Sequence, residues 1–127
     1  MILDASAAVE ILLGSARGAT AGAILRTNAP VVPSHFDAEV YRALRRLRRR
    51  GALSADDLRV RIGALATLAA ERIPLPPLLQ SANDLGDRFS PPDSLYVALA
   101  RALDAELLTV DAGLARACDG VAKVRLL

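Results

Sequence analysis

Residues 1–7, MILDASA, place two apolar residues and an acidic one directly before a stretch of helical periodicity. Ile2 and Leu3 predict a short buried strand. Asp4 or Ser6 can cap the helix that follows, because a side-chain oxygen at this position accepts a hydrogen bond from the free N–H groups of the first turn. The segment therefore predicts a strand, an acidic residue and a helix in immediate succession.

The same succession returns in residues 106–115, ELLTVDAGLA, where Asp111 follows the apolar run 107–110 and precedes a short helix. Ligands of open α/β sheets bind beyond the carboxyl ends of the strands. Asp4 and Asp111 are each explained equally well as helix caps. Together, two acids after two strands indicate one edge of a sheet.

Short apolar runs alternate with longer helical patterns along the whole chain, which predicts an α/β fold with a parallel sheet and one domain covering residues 1–127. We expect strands near residues 1–3, 30–32, 72–75, 106–109 and 122–126. Helices are expected in the gaps, at residues 17–27, from Ser34 to Gly51, from Ser54 through Ala69, from Pro76 through Leu85, and from Ser90 to Leu103. Ser54 and Asp57 form a capping-box pattern.

Composition excludes several classes of protein. The chain has one Cys and one His among its 127 residues, so it holds neither an internal disulfide nor a thiolate zinc cluster. Cys118 is expected to be a small packing residue, and His35 a neighbour of the helix start and not a catalyst. No apolar stretch approaches the roughly 20 residues of a membrane span, and the N-terminus lacks a signal-peptide pattern, so we expect a cytoplasmic protein.

The net charge is only +2, but six arginines lie between positions 42 and 50. Arg42 and Arg46, with Arg49 and Arg50, fall on the same side of the third predicted helix as Glu39. They could bind the phosphates of a nucleic acid or a protein partner, and a solvated surface is an equal alternative. Four scattered aromatic residues are too few for a base-stacking surface.

Two further acids differ from the other charged residues. Asp93 lies in the first turn of the helix that Ser90 opens, where the helix dipole alone stabilises a carboxylate. Glu39 borders the apolar stripe of its helix, which contains Phe36 and Val40, and a carboxylate at the margin of a core needs a partner. An ion pair with Arg42 or Arg46 on the same helix is the simpler explanation.

Carboxylates are the ligands that Mg²⁺ and Mn²⁺ prefer, and such a cation can activate water for attack on a phosphodiester. We hypothesise that Asp4 and Asp93 hold the principal metal and that Asp111 contributes directly or through water. Glu39 would orient the attacking water or complete a second metal site.

Four segments, ILDASA, AEVYRAL, PPDSLYVALA and LLTVDAGLA, resemble in their order and spacing the PIN domain family, and most closely its VapC-type ribonuclease toxins of type II toxin-antitoxin modules. The resemblance implies a five-stranded parallel sheet with helices on both faces and a metal-dependent endoribonuclease. It implies that Asp4, Glu39, Asp93 and Asp111 are catalytic and bind Mg²⁺ or Mn²⁺, with Ser6 and Thr109 as supporting groups. It also implies a VapB-type antitoxin partner and a homodimer.

Two alternatives stay open at this point. A phosphoacceptor receiver domain has a similar size, but residues 73–76 offer no acceptor Asp after the third strand, and Lys123 lies inside the last one. A PIN-like module could also act only as a binding partner without nuclease activity.

The pair Pro91-Pro92 departs from the family pattern, and we expect it to fix the turn before Asp93.

Overall fold

The computed structural model describes residues 1–127 and confirms the alternation of strands with helices. The strands are β1 (Ile2–Leu3), β2 (Val31–Pro33), β3 (Glu71–Ile73), β4 (Leu107–Thr109) and β5 (Val124–Leu126). The helices are α1 (Ala5–Leu13), α2 (Ala16–Leu25), α3 (Phe36–Arg49), α4 (Ala55–Ala66), α5 (Leu79–Asn83), α6 (Pro91–Ala102) and α7 (Ala112–Ala117). Two short 3₁₀ turns, Pro76–Leu78 and Gly86–Arg88, flank α5.

All five strands are parallel and form one sheet in the order β3-β2-β1-β4-β5. The central strand β1 pairs with β4 in a register that sets Leu3 opposite Leu108. Because the two strands are parallel neighbours, the residues that follow them emerge at the same edge of the sheet. The order also differs from the 2-1-3-4-5 order of receiver domains, which excludes that alternative.

Helix α6 is the central helix of the core. Seven consecutive residues, 94–100, are buried, and the helix packs against β1, β2 and β4. A helix that is buried around most of its circumference is held firmly by its neighbours. The first turn of α6, which carries Asp93, is therefore fixed relative to the carboxyl edge of the sheet.

Several predicted boundaries were wrong. The third strand runs from Glu71 to Ile73 and not over 72–75, since Pro74 has no N–H for the ladder. The helix predicted through Leu85 ends at Asn83, before Gly86 adopts a left-handed φ of 67°. The last strand begins at Val124, because the backbone of residues 121 and 122 turns back to the carbonyl of Cys118.

The fourth helix also ends early, at Ala66, where Thr67 caps it. Its start is as predicted: the Ser54 hydroxyl accepts from the backbone N–H of Asp57, and the Asp57 carboxylate accepts from Ser54 in return. Cys118 is buried, in agreement with its expected packing role.

Helices α1 and α2 meet at a sharp bend of 111° after Gly14, whose φ is 70°. At the contact, Gly18 lies against the carbonyl of Glu10 so closely that a Cβ atom at Gly18 would stand 2.0 Å from that oxygen. None of the helices by itself is long and apolar enough to span a membrane, and only this bent pair meets the length and composition criteria when joined.

Candidate metal-binding active site

The four acids singled out in the sequence line one cleft of about 520 Å³ at the carboxyl edge of the sheet. Asp4 follows β1, Glu39 lies on α3, Asp93 on α6, and Asp111 follows β4. The cleft also contains Ser6, Arg42 and Arg46. Residues that are far apart in the chain are thus brought together by the topology of the sheet.

Asp4 is both a helix cap and a member of the cleft. Its Oδ2 accepts from the backbone N–H of Ser6 at 3.3 Å, from the Ser6 hydroxyl, and from Thr109 Oγ1 at 2.7 Å. The residue is only 6% exposed. Burial raises the pKa of Asp4, and the nearby charge of Asp93 adds to this, while the hydrogen bonds from Ser6 and Thr109 oppose it.

Asp111 caps α7 with one carboxylate oxygen. Its Oδ1 accepts from the backbone N–H of Gly113 at 2.6 Å and of Leu114 at 3.0 Å. Its own N–H donates to Thr109 Oγ1 at 3.0 Å, so the buried Thr109 contacts both acids of the sheet edge. The cap fixes one oxygen and leaves Oδ2 without such a bond.

Asp93 is held by the start of α6. Ser90 caps the helix by accepting from the backbone N–H of Asp93 at 3.3 Å, and Pro91 and Pro92 occupy the first helical positions. The prolines therefore fix the turn, as expected. Burial raises the pKa of Asp93, and the charges of Glu39 and Asp111 raise it further.

Glu39 has partners that sequence analysis missed. Its Oε2 accepts from the Tyr96 hydroxyl at 2.8 Å and lies 3.3 Å from His35 Nε2. The second contact is a close approach and not a hydrogen bond, since neither ring nitrogen of His35 has a hydrogen-bond partner. No ion pair joins Glu39 to Arg42 or Arg46. Burial raises the pKa of Glu39, but Tyr96, His35 and the charge of Arg42 outweigh it, so the net shift is downward.

The positions of Tyr96 and His35 in the sequence were a weak signal that both side chains lie near the acids. Tyr96 lies three positions after Asp93 and His35 four before Glu39, and both separations place side chains on one helical face. His35 lies at the start of α3, as predicted, but it is the N-cap residue itself and makes no capping hydrogen bond there. Its ring packs edge-on against Tyr96, with centroids 5.0 Å apart.

The donor set fits a hard divalent cation, because four carboxylates face one cleft and two of them have raised pKa values through burial and mutual repulsion. A cation would relieve that repulsion. No three His, Cys, Asp or Glu side chains are already gathered at ligating positions. The side chains are therefore of the type that binds Mg²⁺ or Mn²⁺, but they are not yet close enough together to form a complete set of ligands.

Among the six arginines at positions 42–50, Arg42 and Arg46 line the cleft. Arg49 and Arg50, which were expected on the same side of the helix, do not line it. Arg45 turns away from the cleft and donates to the Tyr41 hydroxyl at 3.0 Å. The two cleft arginines place positive charge beside the carboxylates, where a phosphate could be bound without contact to the acids.

The comparisons with known proteins agree with this geometry. The PIN domain family model matches residues 1–120. Ribonuclease VapC12 of Mycobacterium tuberculosis is 36% identical over 126 residues, which cover 99% of this chain and 98% of that protein. Ribonuclease VapC3 of the same species is 38% identical over 118 residues, covering 92% and 86%.

The crystal structure of Mycobacterium tuberculosis VapC20, described as a sarcin-ricin loop cleaving toxin, superposes with a TM-score of 0.66 over 98% of both chains. At 18% identity this likeness supports the fold alone. The family match and the identities to ribonucleases VapC12 and VapC3 decide the assignment: the chain belongs to the PIN domain family, in the group of the VapC ribonucleases.

Proposed function

We propose that this protein is a Mg²⁺- or Mn²⁺-dependent endoribonuclease and the toxin of a VapBC-type toxin-antitoxin module, acting in the cytoplasm. One observation carries the proposal: four carboxylates from four separate elements face a single cleft that also contains two arginines. The ribonuclease names of the relatives supply the substrate class.

Each acid has a place in the proposed reaction. Asp4 and Asp93 would hold the principal cation, with Asp111 offering Oδ2 directly or through water. Glu39 would orient the attacking water or complete a second metal site. A bound divalent cation lowers the pKa of water and neutralises charge that develops on the phosphate.

Supporting roles follow from the contacts. Ser6 and Thr109 donate to Asp4 Oδ2 and so fix the direction of that carboxylate. Arg42 and Arg46 would bind the RNA phosphates, which a cleft of four carboxylates would otherwise repel. The cleft therefore provides separate groups for the cation and for the substrate backbone.

The partners in this proposal come from the family. We propose that a VapB-type antitoxin binds the toxin and blocks the acidic cleft, and that the toxin forms a homodimer. Co-purification with the product of a neighbouring short reading frame, and the mass of the complex in solution, would test both points.

Cleavage of a structured RNA tests the enzyme proposal. We expect the wild-type protein to cut RNA with Mg²⁺ or Mn²⁺, to stop in EDTA, and to recover when the cation is restored. Asp4→Asn and Asp93→Asn should remove cleavage while the protein stays folded.

Asp104→Asn is the matched control. Asp104 is exposed, pairs with Lys123 and has a φ of 46°, a conformation that Asn tolerates well. Cleavage that persists in EDTA, or in either cleft variant, would contradict the proposal. Folded wild-type protein that binds RNA but never cuts it would favour the non-catalytic binding module.

A further inference from the structure

The partners of Glu39 are shared between two helices. The Tyr96 hydroxyl on α6 donates a hydrogen bond to Glu39 Oε2, and His35 at the start of α3 approaches the same oxygen. Tyr96 is fully buried, and the side chain of His35 is 16% exposed. Both groups are therefore held by packing and cannot move freely with the carboxylate.

The two contacts select one oxygen of the carboxylate. Tyr96 and His35 both use Oε2, and neither uses Oε1. The Glu39 side chain is 28% exposed at the cleft, and with Oε2 held, Oε1 is the oxygen that has no protein contact. A carboxylate in this arrangement has one oxygen for the protein and one for a ligand.

Tyr96 also relates Glu39 to a second acid. Asp93 and Tyr96 are three residues apart on α6, so they lie on the same face of a helix that the core holds firmly. A hydrogen bond from Tyr96 to Glu39 thereby sets the separation of Glu39 from Asp93. The hydrogen bond acts against the repulsion of the two carboxylates, in which the charge of Glu39 raises the pKa of Asp93.

Arginines on the same helix offer Glu39 an alternative. Arg42 and Arg46 lie three and seven positions after it and also line the cleft. Without the Tyr96 hydroxyl and the His35 ring, an ion pair with Arg42 would be the nearest arrangement open to Glu39. Such a pair would release Oε2 from Tyr96 and occupy an arginine that the proposed substrate needs.

We propose that Tyr96 and His35 are positioning residues that hold Glu39 Oε2 and thereby present Oε1 to the cation of the active site. This inference rests on the proposed function and assigns Glu39 to the metal side of the reaction. The competing explanation is that Glu39 only satisfies a buried tyrosine hydroxyl, which would affect folding and leave the cation site unchanged.

Mn²⁺ affinity, measured by calorimetry or electron paramagnetic resonance, separates the two explanations. We expect Tyr96→Phe to weaken Mn²⁺ binding by roughly tenfold, the usual effect of losing an outer hydrogen bond to a metal ligand. Tyr41→Phe is the matched control, since it removes a hydroxyl from an exposed residue that is bonded only by Arg45. Thermal unfolding of both variants verifies that each is folded.

A double-variant cycle tests that the effect passes through Glu39. In a Glu39→Gln background, Tyr96→Phe should cause no further loss of Mn²⁺ affinity. His35→Ala should weaken binding as well, because it removes the group 3.3 Å from Oε2, and His35→Gln, which keeps a polar group near the position of Nε2, should weaken it less. With RNA, Tyr96→Phe should lower kcat and leave KM nearly unchanged.

Unchanged Mn²⁺ affinity in folded Tyr96→Phe, or a full additional loss in the Glu39→Gln background, would overturn the inference. If Tyr96→Phe does not fold, the Mn²⁺ affinities of His35→Ala and His35→Gln test the inference in its place, and unchanged affinity in both would overturn it. Failure of the proposed function has a different signature, since wild-type protein would then bind Mn²⁺ with the expected dependence on Tyr96 but would not cut RNA.

Discussion

Thr109 Oγ1 donates a hydrogen bond to Asp4 Oδ2 at 2.7 Å across the β1–β4 pair. The strand register produces this contact, because Leu3 lies opposite Leu108 and the next residues on each strand are Asp4 and Thr109. The same hydroxyl accepts from the backbone N–H of Asp111 at 3.0 Å. One neutral, fully buried side chain thus orients the two acids that follow neighbouring strands.

Replacing this hydroxyl should cost both stability and activity. Thr109→Val keeps the shape but leaves the part-buried N–H of Asp111 without its acceptor and removes a donor from the buried carboxylate of Asp4. We expect the free energy of unfolding to fall by about 1–3 kcal/mol, the usual cost of an unsatisfied buried group. Urea denaturation with and without Mn²⁺ measures it, and RNA cleavage should also decrease.

Thr20→Val is the control for this substitution. Thr20 is exposed on α2 and bonds only the carbonyl of Ala16 in its own helix, so we expect a change within about 0.5 kcal/mol. Equal effects of the two substitutions would mean that the Thr109 hydroxyl has no special role.

The fold could be predicted from sequence because its signals are local. Apolar runs such as Leu107–Thr109 and helix starts such as Ser54 and Ser90 indicate their structure without knowledge of distant residues. Strand order and exact ends depend on tertiary pairing. The early end of β3 has two causes, Pro74 and the pairing of β3 with β2. The proline is visible in the sequence, but the pairing is not.

The candidate site could be predicted only in part, for the same reason. The positions of Asp4 and Asp111 follow from the strand-to-helix transitions, and Asp93 from the helix start. The partners of Glu39 could not be deduced, because Tyr96 is 57 residues away and its hydroxyl reaches Glu39 only in the folded protein. An ion pair within α3 was the local alternative, and it was wrong.

Removing one repelling charge should stabilise the protein without metal. Burial, together with the charges of Glu39 and Asp111, raises the pKa of Asp93 above its ordinary value. We therefore expect Asp93→Asn to raise the Tm in EDTA while it reduces the increase in Tm that Mn²⁺ produces in the wild-type protein. Differential scanning calorimetry of both forms measures this, with Asp104→Asn as a variant that should change neither value.

The gain in Tm of Asp93→Asn should depend on pH, and the raised pKa of Asp93 sets the direction of that dependence. A carboxyl whose pKa is raised on folding favours the folded state when protonated, and this contribution is lost as the pH rises through the folded-state pKa. The gain in Tm for Asp93→Asn should therefore be largest near neutral pH and shrink as the pH falls through the raised pKa. A gain that grows on acidification would refute the assigned repulsion.

The cleft arginines should account for part of the RNA affinity. In EDTA, where cleavage is blocked, Arg42→Gln and Arg46→Gln should each weaken RNA binding and reduce the slope of log affinity against log salt by roughly 0.7 to 1. Fluorescence anisotropy across a salt series measures it. Arg45→Gln, on the same helix but outside the cleft, should leave the slope nearer to the wild-type value, and equal slopes for all three would count against the assignment.

The contact between α1 and α2 should not tolerate a side chain at Gly18. A Cβ there would stand 2.0 Å from the carbonyl oxygen of Glu10, so Gly18→Ala must push the helices apart and should cost about 1–3 kcal/mol or more. Gly22→Ala, in the same helix with open space around it, should stabilise by about 0.5–1 kcal/mol. Urea denaturation compares the two, and opposite signs are the expected result.

The central claim, that four acids from four elements form one cation site, is tested most directly by crystals grown with Mn²⁺. An anomalous difference map should show Mn²⁺ in the cleft within ligating distance of Asp4 and Asp93, with Asp111 and Glu39 facing it. The density should disappear in Asp93→Asn and persist in Asp104→Asn. A well-diffracting crystal with no Mn²⁺ in the cleft, or with Mn²⁺ bound only elsewhere, would contradict the account.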